Sequence, residues 1–327
     1  MSESQTLYIP AAYIKQAASE EGFDACGIAR AEALSDFSPR LSRWLAEGFH
    51  AGMQYMERNE AMRVDPRRLV EGAQSVVSLL VGYRPSRLMT GLHKVAQYAY
   101  GEDYHRKLKR MLFALAKRLK EQYPALQVRA FVDTAPISDK SWAIRGGLGW
   151  RGKHTLVVHP TLGSYCNIGE LVCNATSDYD LPLENSPCVG CRRCVDACPN
   201  QALRPVVDED CGEPHYLLDA RRCIAYHTVE SRATHLPDHL RLSGFAFGCD
   251  RCQQACPVNR QAAVRLQVSA ERIAELERLA EADPEAFRLA TRHTAMERIG
   301  FDQWQRNVGQ APPLASSENE APDASSC

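Results

Sequence analysis

The sequence predicts an α/β (α+β) protein in which an N-terminal domain with a mixed sheet precedes a cysteine-rich domain and C-terminal helices. In the N-terminal part, apolar runs alternate with amphipathic segments. One continuous apolar run, from Ser75 to Gly82, has the length of a strand that is buried on both faces. Nine of the 13 cysteines then lie between Cys188 and Cys256, which predicts a second domain built around cysteine chemistry.

The chain divides into four parts on composition. We predict a catalytic domain over 1–174, a cysteine-rich domain over 175–260 and helices over 261–310. A polar stretch at 174–187 marks the first boundary, because linkers between domains are polar and rich in Pro. The final part, 311–327, consists of Pro, Ala, Ser and acidic residues and is expected to be disordered.

Composition excludes several classes of protein. With 327 residues and 45% hydrophobic content the chain can bury a large core, and its net charge of −1 gives no overall attraction to nucleic acid or membranes. It has no apolar run of 18 residues and no signal peptide or twin-arginine start, so we expect a cytoplasmic protein. In that setting many cysteines indicate metal rather than disulfides. We assign to the apolar core Cys26, Cys166 and Cys173.

The N-terminal elements are predicted from hydrophobic periodicity and from the Pro and Gly residues that begin or end helices and strands. Helices are expected at Pro10–Gly22, Arg40–Glu47, Asp65–Gly72, His105–Gln122 and Ser138–Ile144. Strands are expected at Phe23–Ala29, Ser75–Gly82, Val128–Asp133, Leu156–His159 and Tyr165–Cys173. C-terminal helices are expected at Val264–Ala280 and Pro284–Gln305. The helix that ends at Gln122 has a basic face, which is more often solvated than bound to RNA.

The cysteine spacing carries the strongest chemical signal. Two runs, C-x2-C-x2-C-x3-C-P and C-x2-C-x3-C-P, contain Cys188, Cys191, Cys194, Cys198, Cys249, Cys252 and Cys256. The first run is typical of bacterial proteins with two [4Fe–4S] clusters, in which the fourth cysteine binds the other cluster. Two clusters need an eighth thiolate, which Cys223 or Cys211 could supply. We favour Cys223, because Cys211 lies in a turn-like acidic stretch.

Two sets of four thiolates follow from this crossed arrangement. The first predicted cluster is bound by Cys188, Cys191, Cys194 and Cys256, and the second by Cys198, Cys223, Cys249 and Cys252. Zinc sites also use C-x2-C pairs, and disulfides are a further alternative. Neither requires a third cysteine at this spacing and a fourth before proline, so clusters are the preferred interpretation.

Acid–base chemistry is predicted near the end of an N-terminal strand. Asp133 follows an apolar run, and a carboxyl group held against an apolar ligand would have a raised pKa and could donate a proton. The alternative is an aspartate that only stabilises a turn. Four glycines within the eight residues from Gly146 to Lys153 would let the backbone approach a large ligand closely. Neither a dinucleotide fingerprint nor a P-loop occurs.

Together these motifs resemble the epoxyqueuosine reductase (QueG) family. The resemblance covers residues 10–310 and rests on the cysteine runs and on Tyr98…Gly101-x-Asp-Tyr104-His105, Asp133-Thr-Ala-Pro136, Gly147–Leu156, Gly163-Ser164…Gly169-Glu170 and 219–230. It implies a cytoplasmic, cobalamin-dependent enzyme with two [4Fe–4S] clusters that reduces epoxyqueuosine to queuosine at the wobble position of tRNA. It also supports Cys223 as the eighth ligand.

The resemblance further implies roles for individual residues. Asp133 corresponds to the proton donor, and cobalamin contacts are expected from Met56, Arg58, Tyr98, Asp133, Lys153, His154, Thr155, Val157 and Ser164. The implied partners are a tRNA with a GUN anticodon that carries epoxyqueuosine and a low-potential electron donor. We expect a monomer with no membrane association. Candidate RNA contacts near the clusters are Arg192, Arg193, Arg221 and Arg222.

Three other functions remain open from the sequence. A reductive dehalogenase would share cobalamin and two clusters, but those enzymes usually carry a twin-arginine leader. A plain electron-transfer protein would bind no corrinoid and would not need a large N-terminal domain. A tRNA-binding role without catalysis would leave the cysteine motifs unexplained.

Overall fold

The computed structural model describes residues 6–184, 186–206 and 215–311. Within them the strands are β1 (Ala25–Arg30), β2 (Ser75–Gly82), β3 (Lys94–Val95), β4 (Val128–Phe131), β5 (Trp150–Arg151), β6 (Val157–Val158), β7 (Cys166–Cys173), β8 (Leu203–Val206), β9 (His215–Leu218) and β10 (Phe245–Phe247). The α-helices are α1 (Ala11–Glu20), α2 (Ser38–Ala46), α3 (Glu60–Val64), α4 (Tyr104–Gln122), α5 (Asp139–Arg145), α6 (Arg193–Asp196), α7 (Arg251–Gln254), α8 (Pro257–Arg260), α9 (Ala270–Arg278), α10 (Pro284–Thr291) and α11 (Phe301–Gly309).

A four-stranded sheet with the order β1-β2-β7-β4 organises the N-terminal half. All of its pairings are antiparallel, and β2 lies opposite β7 from Ser75↔Cys173 to Gly82↔Cys166. Every residue of β2 is buried, as its continuous apolar run predicts. Within the described residues, parallel strand pairing occurs between the short strands β3 and β10. The mixed α/β class predicted from the sequence is therefore confirmed.

Helices α1 and α4 cover one face of this sheet. The buried residues of α4 are Leu108, Leu112, Leu115 and Leu119, which repeat at helical spacing and share one apolar cluster with Ile14 of α1. Burying a leucine contributes about 1.5–3 kcal/mol, so these four side chains fix the helix firmly to the sheet. Asp103 caps α4 by accepting a hydrogen bond from the His105 backbone N–H at 3.0 Å.

The opposite face of the sheet is covered by α5. Trp142 of this helix is fully buried against Val76 of β2 and Val172 of β7. Gly27 of β1 packs closely against Gly146, the residue that follows this helix. A Cβ atom at Gly27 would lie 2.1 Å from the carbonyl oxygen of Gly146, so the sheet and the helix end require glycine at position 27.

The C-terminal helices pack against the short strands β3 and β10. Trp304 and Phe287 stack in an apolar cluster that also contains Val95 and Phe247. Helix α9 begins after its cap residue Ser269, later than the predicted start. Ala311 is buried in a neighbouring cluster, whereas the rest of the segment expected to be disordered lies outside the described residues.

Most of the predicted N-terminal elements occur within a few residues of their expected bounds. The helix predicted at Asp65–Gly72 is instead a single 3-10 turn at Pro66–Arg68, preceded by α3, which the sequence did not indicate. Among the described residues, no helix combines the length and apolar character needed to cross a membrane.

Candidate functional site

The first group of cysteines consists of Cys188, Cys191, Cys194 and Cys256 in the second domain. Burial, together with the nearby cysteines Cys256, Cys188 and Cys191, raises the pKa of the Cys194 thiol to about 12. Cys194 lies on α6 and Cys256 directly precedes α8, and both are buried. The structure therefore brings together the four cysteines assigned to the first predicted cluster.

The second group of cysteines consists of Cys198, Cys223, Cys249 and Cys252, and it adjoins the N-terminal domain. The pKa of Cys252 lies well above its ordinary value because the thiol is buried and because Cys223, Cys194 and Cys198 are near. Cys249 is likewise close to Cys252 and Cys223. These neighbours include all four cysteines assigned to the second predicted cluster. The alternative ligand, Cys211, lies outside the described residues.

No three His, Cys, Asp or Glu side chains of the described residues are arranged to hold one metal ion. In a [4Fe–4S] cluster each thiolate binds a different iron, so the four sulfurs lie further apart than ligands that converge on one ion.

A cavity of about 350 Å³ separates the second cysteine group from the end of β4. Its walls include the predicted site residues Tyr98, Asp133, His154, Thr155, Val157 and Ser164, together with Cys198, Cys223, Cys249 and Cys252. Three predicted contacts do not line it. Met56 is half-buried in a 3-10 turn, Arg58 is exposed, and the Lys153 Nζ atom lies 5.9 Å from the centre of the Tyr216 ring.

His154 presents an unpaired donor in the wall of this cavity. Its Nδ1 atom accepts a hydrogen bond from the Leu156 backbone N–H at 3.3 Å, so the ring proton is carried by Nε2. Nε2 is buried and has no partner among the described residues. Burial, together with the charge of Lys140, lowers the pKa of His154 to about 4, which keeps the ring neutral. The site therefore fits a large ligand that offers an acceptor oxygen at this position.

Asp133 is held between two side chains from the first turn of α4. Its Oδ2 atom accepts a hydrogen bond from the Tyr104 hydroxyl at 2.6 Å and lies 3.1 Å from the His105 Nε2 atom. His105 Nδ1 lies 2.9 Å from the Asp103 carboxylate, so the imidazole bridges two acids. The backbone of Asp133 adopts a left-handed conformation with φ of +47°.

This environment corrects the expectation that Asp133 has a raised pKa. Burial by itself would raise the pKa, but the hydrogen bonds from His105 and Tyr104 outweigh burial and lower it to about 2. The carboxyl group is therefore ionised in this arrangement. A proton must reach it from a neighbour before it can act as an acid.

A hydrogen-bond network links the cavity wall to the second cysteine motif. Asn259 of α8 accepts from the Ser164 backbone N–H at 2.7 Å and donates to the Ser164 hydroxyl at 2.8 Å. The Ser164 hydroxyl in turn donates to Gln253 Oε1 at 2.9 Å, and the Tyr83 hydroxyl lies 3.2 Å from the same oxygen. The two domains are thus joined at the cavity by buried polar contacts.

Sequence reasoning missed several charged groups near Asp133. Arg298, in the C-terminal segment, pairs with Glu230 at 2.9 Å, and its charge acts on Asp133. Asp139 and Glu170 are further carboxyl groups close to this site. Arg298 is far from Asp133 in sequence, Asp139 is an ordinary acidic residue of a first helical turn, and Glu170 entered the sequence analysis only as part of a motif, so no spacing signal connected them with Asp133.

The basic residues suggested for RNA contact are mostly paired with protein groups. Arg221 binds Asp219, Arg192 lies 3.4 Å from Asp196, and Arg222 donates to the Asn200 carbonyl. On the basic face of α4, the acid partners of Arg110 and Arg118 are Glu102 and Glu20, respectively. Neither region, as far as its residues are described, therefore forms a continuous strip of unpaired positive charge.

The chain is similar to one group of characterised proteins. Residues 63–134 match the family described as "Epoxyqueuosine reductase QueG, DUF1730", and residues 187–259 match the "4Fe-4S double cluster binding domain". An epoxyqueuosine reductase from Cyclobacterium marinum is 38% identical over 302 residues, which are 90% of this chain and 94% of that protein.

Solved structures give the same similarity. The epoxyqueuosine reductase from Streptococcus thermophilus has a TM-score of 0.80 at 28% identity, covering 92% of this chain and 80% of that one. An epoxyqueuosine reductase crystallised with a tRNA-TYR epoxyqueuosine-modified tRNA stem loop has a TM-score of 0.78 at 27% identity, with the same coverage.

Proposed function

Because the chain belongs to the epoxyqueuosine reductase family, we propose that it is an oxidoreductase that reduces epoxyqueuosine to queuosine at the wobble position of tRNA. The observation that carries the proposal is a single cavity whose walls contain both Asp133 and the second cysteine group. A proton-transferring group and an electron-supplying group thus face one space. The reaction needs both, because removing the epoxide oxygen as water consumes two electrons and two protons.

The two cysteine groups would carry the electrons inward. The first group lies beside Val189, whose side chain is 69% exposed, so a cluster bound there is close to solvent. The second group lines the cavity. A low-potential donor would therefore reduce the first cluster, which would pass electrons to the second. The assignment of Cys223 as a ligand of the second cluster is part of this proposal.

Cobalamin is the cofactor that this cavity would hold. When bound, it would supply a low-potential cobalt centre that can act on an epoxide carbon. The unpaired Nε2–H of His154 would donate to an amide oxygen on the rim of the corrin, and Thr155, Ser164, Tyr98 and Val157 would line its faces. Contacts from Met56, Arg58 and Lys153 stay predictions, since these residues lie outside the cavity wall.

Asp133 and His105 would supply protons to the leaving oxygen. Although burial lowers the pKa of His105, its hydrogen bonds to Asp133 and Asp103 outweigh burial and raise it. His105 therefore holds a proton 3.1 Å from the Asp133 carboxylate. As negative charge develops on the epoxide oxygen, the proton can pass from His105 to Asp133 and then to the oxygen.

We also propose the cellular setting implied by this substrate. The enzyme would act in the cytoplasm as a monomer on a tRNA with a GUN anticodon. Binding of an anticodon stem-loop should weaken steeply as salt concentration rises, because phosphate contacts release counterions. Sedimentation of the reconstituted protein tests the monomer.

The test is anaerobic reconstitution with iron, sulfide and cobalamin, followed by reduction and incubation with epoxyqueuosine-tRNA. Mass analysis of the released nucleosides should show the loss of one oxygen atom from the modified base. Clusters and bound cobalamin without this change would indicate another corrinoid reductase. Failure to bind any corrinoid would indicate an electron carrier.

A variant separates the proton role of Asp133 from cofactor binding. Asp133→Asn should keep the iron content and the cobalamin absorbance of the wild-type protein but lose at least about 100-fold in turnover, the usual contribution of a general acid. Full turnover by this variant would refute the assigned role.

A further inference from the structure

The stoichiometry of the proposed reaction requires a second source of protons. Two C–O bonds break, one C=C bond forms, and the oxygen leaves as water, so two electrons and two protons enter. The clusters account for the electrons. The path from His105 through Asp133 delivers one proton, so the Asp133 carboxylate must then be protonated a second time. This inference rests on the proposed function.

Asp139 is positioned near Asp133, to which it could transfer a proton. It is the first residue of α5, and the Asp133 backbone N–H is close enough to act on the pKa of its carboxyl group. It also lines the same cavity. Its Oδ1 atom is buried and has no hydrogen-bond partner in the described part of the chain. The residue therefore neighbours Asp133 in the cavity wall and carries one carboxyl oxygen that no described protein group satisfies.

Glu170 lies behind Asp139 in the centre of the sheet. It belongs to β7, is fully buried, and accepts a hydrogen bond from the Ser78 hydroxyl at 2.8 Å through Oε2. Its Oε1 atom has no partner within the described ranges. Helix α5 packs directly on β7, and the charge of Asp139 acts on Glu170. Two carboxyl groups, each with an unpaired oxygen, thus lie on packed elements and near enough for their charges to interact.

The groups that surround this pair favour a retained proton. Burial and the charge of Asp133 raise the pKa of Asp139 to about 8, against the opposing charges of Lys140 and Arg63. Burial and the charge of Asp139 raise the pKa of Glu170 well above its usual range. The Cys26 thiol also faces Glu170, and burial keeps that thiol neutral by raising its pKa to about 12. Neighbouring buried carboxyl groups do not both ionise, so the pair holds at least one proton at neutral pH.

We propose that Asp139, backed by Glu170, holds the second proton of the reaction and reprotonates Asp133 between the two proton deliveries. Asp133 first passes to the epoxide oxygen the proton that it receives from His105, as one C–O bond breaks. The Asp139 proton then moves to the Asp133 carboxylate, and Asp133 protonates the resulting hydroxyl group so that it leaves as water. Glu170 shares the negative charge left on Asp139 by giving up its own proton to that residue.

The test compares Asp139→Asn with Glu170→Gln in the reconstituted enzyme. The amide introduced by Asp139→Asn has the shape of the carboxyl group and keeps one acceptor oxygen, so the variant removes the acidic proton with little change in packing. In infrared difference spectra, the wild-type protein should show the carbonyl stretch of a protonated carboxyl group that shifts in D₂O. Each variant should lose part of this band, whereas Glu121→Gln, at an exposed acid of α4, should not.

Activity measurements complete the test. Turnover by the wild-type enzyme should fall as pH rises through about 8, because Asp139 then loses its proton. Asp139→Asn should remove this alkaline limb and slow turnover about 100-fold. Wild-type turnover with an unchanged pH profile in both variants would overturn the proposal, as would an unchanged infrared band.

The design separates this proposal from the proposed function. If the wild-type protein fails to reduce epoxyqueuosine but the carboxyl band is present and depends on Asp139 and Glu170, the proposed function is wrong, although the two residues do hold a proton. If the wild-type protein is active but the band is absent, only the role of Asp139 and Glu170 is refuted. If Asp139→Asn does not retain its iron, the infrared spectrum of Glu170→Gln decides the question. This second variant keeps an oxygen that can accept the hydrogen bond from Ser78.

Discussion

Replacing Asn259 by Ala tests whether the contact between the two domains is maintained by buried hydrogen bonds. Asn259 is 3% exposed and makes three of them, to the Ser164 N–H at 2.7 Å, the Ser164 hydroxyl at 2.8 Å and the Gln253 carbonyl at 2.7 Å. Alanine leaves the Ser164 N–H without a partner, whereas the Gln253 carbonyl still accepts from the Cys256 backbone N–H at 3.1 Å. The Ser164 hydroxyl keeps its bond to Gln253 Oε1.

The expected loss follows from the one group left unsatisfied, the Ser164 N–H. A buried polar group without a partner costs about 1–3 kcal/mol. We therefore expect Asn259→Ala to lower the free energy of unfolding by about 2 kcal/mol. That is a large share of the roughly 5–15 kcal/mol that stabilises a typical domain.

The assay is anaerobic urea denaturation of the cluster-containing protein, followed by tryptophan fluorescence and by cluster absorbance. Asn307→Ala is the matched control, since Asn307 is also fully buried and donates to two backbone carbonyls, those of Thr228 and Ala246. Both variants should be destabilised. Only Asn259→Ala should also weaken cobalamin binding, because Ser164 lines the cavity. A change below about 0.5 kcal/mol, the size of an ordinary surface substitution, would refute the reasoning.

Three further predictions address the clusters, the packing and the pH dependence. Cys223→Ser should lower the iron content of the reconstituted protein by roughly half, whereas Cys173→Ser should leave it unchanged; equal iron in both variants would exclude Cys223 as a ligand. Gly27→Ala should destabilise the protein by at least about 3 kcal/mol in thermal unfolding, because the new Cβ would lie 2.1 Å from the Gly146 carbonyl oxygen, and a normal melting curve would contradict this packing. The pKa of His154 is lowered to about 4, so its contribution to stability is present at neutral pH and is lost as pH falls from about 6.5 to 4. Unfolding free energies across that range should fall by up to about 3 kcal/mol more in the wild-type protein than in His154→Asn, and parallel curves would show that the ring is not buried neutral.

Local sequence determined the elements whose signals are short-range. The bounds of β2 coincide with the apolar run from Ser75 to Gly82, because continuous burial requires continuous apolar side chains. Helix α4 was predicted within one residue of its start at Tyr104, since its leucines repeat every three or four positions after a capping aspartate. The grouping of the cysteines likewise follows from spacing, because short loops can wrap thiolates around a cluster in few ways.

The antiparallel order of the central sheet was not encoded in any local pattern. A buried run such as β2 is equally compatible with parallel and antiparallel neighbours. Its pairing with β7 joins residues about 90 positions apart and depends on how the intervening helices pack. Such contacts are decided by the packing of the whole domain.

The sequence by itself indicated the family and predicted the cluster cysteines and the role of Asp133, because these predictions depend on residue types at fixed short spacings. The tertiary structure alone decided the surroundings of the site. The pKa of Asp133 is lowered because His105 and Tyr104 lie beside it, and Asp139 comes near Glu170 because α5 packs on β7. A pKa depends on burial and on the distances to other charges, and both are set only when distant segments of the chain come together.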